Sequence, residues 1–71
     1  MTVKLYSTEN CPMCNMLKRK LSDAHIDYEV CTDMDIMSQL GIRSVPQLEA
    51  DGRLMNLPTA MAYIKSIESG D

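Results

Sequence analysis

Residues 3–17 read Val3-Lys4-Leu5-Tyr6-Ser7-Thr8-Glu9-Asn10-Cys11-Pro12-Met13-Cys14-Asn15-Met16-Leu17, and a change of hydrophobic period inside them decides the fold. From Thr2 to Ser7, the residues Val3, Leu5 and Ser7 alternate with Lys4 and Tyr6, the two-residue repeat of a strand. Glu9-Asn10 breaks that pattern. From Cys11 onward the period is helical. Met13, Met16, Leu17, Leu21 and Ala24 fall on one face, and Lys18, Arg19 and Lys20 point mostly to water. Pro12 suits the first helical position, where a missing N–H costs nothing. Cys11 is then the N-cap residue, with Cys14 one turn in.

The rest of the chain repeats the alternation of strand and helix. Ile26 to Cys31 predicts a second strand with Ile26, Tyr28 and Val30 on one face. Asp33-Met34-Asp35 opens a short helix carrying Ile36, Met37 and Leu40, its acids suited to the positive end of the helix dipole. Gly41 is placed to end that helix, with Ile42 folding back onto it. Val45 to Ala50 predicts a third strand, interrupted by Pro46. Asp51-Gly52 is a strong hairpin signal, returning through Arg53 to Met55. Pro58 opens a last helix through about Ser69, with Ala60, Met61, Ile64 and Ile67 on its apolar face. The order β-α-β-α-β-β-α requires a parallel first pair with a right-handed crossover and an antiparallel hairpin. The predicted architecture is α/β: a mixed four-stranded sheet flanked by three helices.

Composition narrows the function. The 71 residues carry 7 Lys+Arg against 10 Asp+Glu, a formal charge of −3. That balance argues against nucleic acid or an anionic membrane as the main partner. No apolar run is long enough to span a bilayer. At 45% hydrophobic residues the chain is too apolar to remain disordered, and its length allows one domain. With 7 Met and neither Phe nor Trp, the expected core is plastic: methionine as filler, and Tyr6, Tyr28 and Tyr63 as its large anchors. Met1-Thr2-Val3-Lys4-Leu5-Tyr6 lacks the apolar core and cleavage site of a signal peptide. The 3 cysteines are therefore expected in a reducing cytoplasm, where paired cysteines serve catalysis or metals more often than scaffolds.

Cys11 and Cys14 carry most of the chemical signal. Thiol–disulfide exchange needs one nucleophilic sulfur and a second that attacks behind it. Cys11 sits where free backbone N–H groups and the helix dipole converge, which stabilises a thiolate. A free thiol of pKa about 8.5 is only a few per cent thiolate at neutral pH, so that stabilisation matters. Cys14, a turn deeper, stays a thiol until Cys11 has formed a mixed disulfide, then attacks it and releases the partner. Cys11 is the expected nucleophile and Cys14 the resolving thiol.

Tyr6-Ser7-Thr8-Glu9-Asn10-Cys11-Pro12-Met13-Cys14, followed by Arg43-Ser44-Val45-Pro46 and Asp51-Gly52, resembles a small glutaredoxin or glutaredoxin-like redoxin. The resemblance covers nearly the whole chain. It implies one domain over residues 1–71 with a minimal thioredoxin fold. It also implies a dithiol–disulfide oxidoreductase, an electron carrier that reduces protein or small-molecule disulfides. In the family the proline matching Pro46 is cis and faces the active-site disulfide, and the backbone matching Val45 pairs with an extended substrate segment. The implied substrate surface is Pro12, Met13, Arg43, Ser44, Val45 and Pro46. No metal or organic cofactor is expected, and a monomer is.

Two departures bear on the electron donor. Glutaredoxins usually carry Lys three residues before the first cysteine; here Thr8 stands there. They also carry Gly-Gly and Asp after the hairpin, where this chain has Asn56-Leu57-Pro58-Thr59. Glutathione is therefore expected to bind weakly, with Arg43 as its remaining cation. The alternative donor is thioredoxin reductase, as in the glutaredoxin-like redoxins that feed ribonucleotide reductase.

Four other features have bland readings. Cys31 is read as a small core residue, the alternative being a third redox thiol. His25 is read as capping the first helix's C-terminus. Cys11, Cys14, His25 and Cys31 together match the ligand types of a Cys3His zinc module, but the first helix would hold His25 roughly 20 Å from the cysteines. Glu49 is read as partly open to water, the alternative being a buried carboxyl that moves protons to Cys14.

Overall fold

Strand β1, Val3–Tyr6, is followed by a turn and helix α1, Pro12–Asp23. These and all later elements are those of a computed structural model, which describes residues 3–69. Thr2, the expected start of β1, lies outside them, as do Met1, Gly70 and Asp71 of the expected domain. Next come β2, Glu29–Cys31, and α2, Met34–Gln39. The chain closes with β3, Gln47–Ala50, β4, Arg53–Met55, and α3, Leu57–Ser69.

The sheet order is β2-β1-β3-β4. β1 runs parallel to β2, with Leu5 opposite Val30, and antiparallel to β3, with Leu5 opposite Leu48. β3 and β4 form the hairpin, Leu48 opposite Met55. This mixed sheet with three helices is the architecture the residue pattern predicted and the minimal thioredoxin fold the resemblance implied. Among the described residues, no helix is long and apolar enough to cross a membrane.

Local sequence explains most element boundaries. α1 leaves through paired closing bonds: His25 N–H to the Ser22 carbonyl and Ile26 N–H to the Leu21 carbonyl. His25 holds the left-handed conformation, φ 58°, at the position where glycine is usual. That exit uses Ile26 for the helix, so β2 is shorter than the Ile26–Cys31 span expected. α2 ends in the same way, with Gly41 at φ 77° and Ile42 N–H bonded to the Met37 carbonyl. β3 starts after Pro46, which has no N–H to give a ladder. The hairpin residues Asp51 and Gly52 both have positive φ, 53° and 74°, as a two-residue type I′ turn requires. α3 begins one residue before Pro58, because Asn56 Oδ1 accepts the Thr59 N–H and caps it.

The main core lies on one face of the sheet. Val3, Leu5, Leu48, Ala50 and Met55 meet Leu17 and Leu21 of α1 and Ala60 and Ile64 of α3. Two expectations need correction. The buried stripe of α1 is Cys14, Leu17 and Leu21; Met13 and Met16 are exposed. Of the methionines, Met37 and Met55 are buried, whereas Met13, Met16 and Met34 face water. Leucines at helical and strand spacing fill the volume that thioethers were expected to take. Tyr6 is buried, but Tyr28 and Tyr63 are only half-buried at the core's margin. Tyr6 is covered although it lies on the sheet face opposite Leu5, so both faces of β1 are shielded near its end.

Candidate active site

The register brings three sequence-distant segments to one end of the sheet. Tyr6 ends β1 and stands opposite both Cys31, the end of β2, and Gln47, the start of β3. Ser7 N–H continues the ladder to the Cys31 carbonyl at 3.0 Å. The loop to Cys11, Cys31 and the segment through Pro46 therefore share one end of the sheet.

Cys11 has extended backbone, φ −115° and ψ 100°, and its Sγ accepts the Cys14 N–H at 3.1 Å. Its carbonyl accepts the Asn15 N–H, the first helical bond. Pro12 follows at the first helical position. Asn10, at φ 59°, turns the chain into this cap, a conformation asparagine tolerates better than most residues. Cys11 and Cys14 are joined in a disulfide, their Cα atoms 5.2 Å apart. The two sulfurs are unequal in access: Cys11 is half-buried and Cys14 is 1% exposed. Of the two sulfur-bearing residues, Cys11 is the one open to solvent.

Pro46 is buried and joined to Val45 through a cis peptide bond. Val45 is half-buried, while Arg43 and Ser44 are exposed. With Thr8, these three line one side of a groove of about 440 Å³, and α2 supplies the other side. Pro12 and Met13 are exposed on the opening turn of α1. The α2 wall was missed in the sequence. Met34, Met37 and Ile42 looked like ordinary apolar spacing, and only the bend at Gly41 turns them toward Val45.

Glu49 does not serve the dithiol. Leu48 and Ala50 point into the core with α1, so Glu49 projects from the opposite face, where its Oε1 accepts the Tyr6 hydroxyl at 2.6 Å. The Tyr6 phenol is pushed up to about 12, by burial first and then by the bond to, and charge of, Glu49, with Cys31 adding to it. Cys31 is a free, half-buried thiol. Ser7 Oγ is buried and finds no hydrogen-bond partner among the described residues. His25 stands beyond the far end of the 12-residue α1, about 18 Å of helix from Cys11. No group of three or more His, Cys, Asp or Glu that could hold a metal occurs among the described residues.

A family profile described as Glutaredoxin matches residues 3–55. That span runs from the first residue of β1 to the last of β4 and contains both cysteines of the disulfide, Cys31 and Pro46. No curated protein and no solved structure matches the chain.

Proposed function

Because the chain belongs to the glutaredoxin family, we propose that this thiol–disulfide oxidoreductase works as a dithiol electron carrier that reduces protein disulfides through Cys11 and Cys14. The observation that carries the reading is the bonded pair at the start of α1, with Cys11 accessible and Cys14 buried. In the reduced protein the Cys11 thiolate attacks a substrate disulfide. One substrate sulfur leaves as a thiolate, and Cys11 holds the other in a mixed disulfide. Cys14 then attacks Cys11 Sγ, expels the second substrate thiol and closes the protein disulfide. Two electrons pass to the substrate. Val45 and Pro46 form the platform for an extended substrate segment, flanked by Ser44, Arg43, Pro12 and Met13.

The electron donor is the finer question. Glutathione is a weak partner in this reading, and thioredoxin reductase, with ribonucleotide reductase downstream, is the second reading. Two observations favour the second. Thr8 lines the groove without a positive charge. The start of α3 is capped by its own Asn56, in the stretch where the family's Gly-Gly and Asp grip glutathione. The carrier acts as a cytoplasmic monomer without a bound metal or organic cofactor. The deciding experiment reduces the oxidised protein with glutathione plus its reductase, and separately with thioredoxin reductase, and compares rates. Faster reduction by thioredoxin reductase is expected; the reverse order overturns the second reading.

A further inference from the structure

The groove between Thr8, α2 and Val45 has a chemistry that glutathione does not fill. One wall is apolar: Met34 and Met37 of α2, with Ile42 and Val45. Met34 is 66% exposed, so a large thioether is held in water at the groove's rim. Among the described residues, Arg43 is the one cation lining the groove, and no carboxylate lines it. The recess thus combines an apolar wall with one guanidinium and reaches Val45, while Asp33 and Asp35 flank Met34 outside its lining. Glutathione carries carboxylates but no large apolar side chain, so it would leave the thioether wall wet.

We propose that this groove selects protein disulfides whose cysteine is flanked by a large aliphatic side chain and, beside it, a carboxylate. The inference rests on the dithiol-carrier reading and names its substrate class. The aliphatic group is taken by Ile42 and by Met34 and Met37, whose unbranched thioethers adapt to varied shapes. The carboxylate meets Arg43, the side chain best built for bidentate pairing. The chain's net negative field repels an acidic segment at long range, so a preference for acidic substrates reports the groove itself.

The test uses pre-reduced protein in single turnovers, which needs no external reductant. The substrates are blocked peptide disulfides, each a homodimer: Asp-Leu-Cys-Leu-Asp, Lys-Leu-Cys-Leu-Lys and Asp-Ser-Cys-Ser-Asp. Rates are divided by those with dithiothreitol, which removes intrinsic differences in reactivity. The wild type is expected to favour the acidic leucine peptide over the lysine peptide by about threefold or more, the scale of an exposed charge pair. Over the serine peptide the preference is expected to be about tenfold, the scale of lost apolar contact in a recess. Arg43→Glu should invert the acid-to-lysine ratio. Met34→Gln, at a position exposed enough for the fold to persist, should shrink the leucine-to-serine ratio at least about twofold. Equal normalised rates across the peptides, or ratios that neither variant moves, overturn the proposal. Hydroxyethyl disulfide separates the two levels. If it is reduced while all three peptides are not, the groove assignment falls and the carrier stands; if nothing is reduced, both fall.

Discussion

Tyr6 donates its hydroxyl to Glu49 Oε1 across 2.6 Å, tying the two central strands together on the face away from α1 and α3. The bond explains a carboxylate in mid-strand: Glu49 gives the buried phenol of Tyr6 an acceptor that an apolar residue would deny it. Tyr6 in turn fills the sheet end that carries the Cys11 loop. Tyr6→Phe should lower stability by about 1 kcal/mol, read as a fall in Tm of roughly 4–8 °C for a domain this size. An unchanged Tm would show that the bond carries no net weight.

The same pair sets a pH dependence at the alkaline end. The Tyr6 phenol rises from an ordinary 10.0 to about 12 in the folded protein. Folding therefore favours the protonated phenol. Its contribution is fully present below the unfolded value, near pH 10, and is lost as pH climbs through about 12. Titrating tyrosinate absorbance should show one of the 3 tyrosines ionising late. Glu49→Gln should bring it back toward the ordinary value while leaving it above, since burial is the larger cause. A Glu49→Gln titration identical to wild type would remove Glu49 from the account.

The unequal access of the two sulfurs predicts unequal mutants. Cys11→Ser should abolish disulfide reduction. Cys14→Ser should accumulate stable mixed disulfides with substrate, visible as mass adducts under non-reducing conditions. Adducts trapped by the Cys11 variant would reverse the roles.

Thr8 stands where the family's Lys would meet a glutathione carboxylate. Thr8→Lys should raise glutathione-dependent turnover by about tenfold, for one charge-assisted contact of about 1.5 kcal/mol or more. The same charge should lower the pH at which Cys11 becomes a thiolate. Parallel thiolate titrations and glutathione-coupled assays check both. Efficient glutathione turnover by the wild type, not improved by the variant, would make the missing Lys irrelevant.

Ser7 Oγ is buried without a partner among the described residues, and such a hydroxyl pays desolvation with no return bond. Ser7→Ala should leave stability unchanged or raise it by up to about 1 kcal/mol. Chemical denaturation measures it, and a loss of more than about 1 kcal/mol would reveal an acceptor for that hydroxyl.

Much of this molecule was legible in its residues because the signals are local. The switch from alternation to helical spacing at Cys11, Pro12 in the first turn, Gly41 after α2 and Asp51-Gly52 in the hairpin each act through their own backbone, and neighbours along the chain suffice to read them. The cysteine pair was equally plain, since an N-cap and a residue one turn in are fixed by the helix alone. Tertiary structure decided the rest. Whether Met13 and Met16 are core or surface depends on how far the sheet reaches under α1. The length of β2 depends on a helix exit that consumes Ile26. The partner of Glu49 lies 43 residues away, and the wall of Met34, Met37 and Ile42 beside Val45 exists only because α2 folds back at Gly41. Such contacts come from register and packing between distant segments, and strand spacing along the chain carries no record of which segment will arrive opposite.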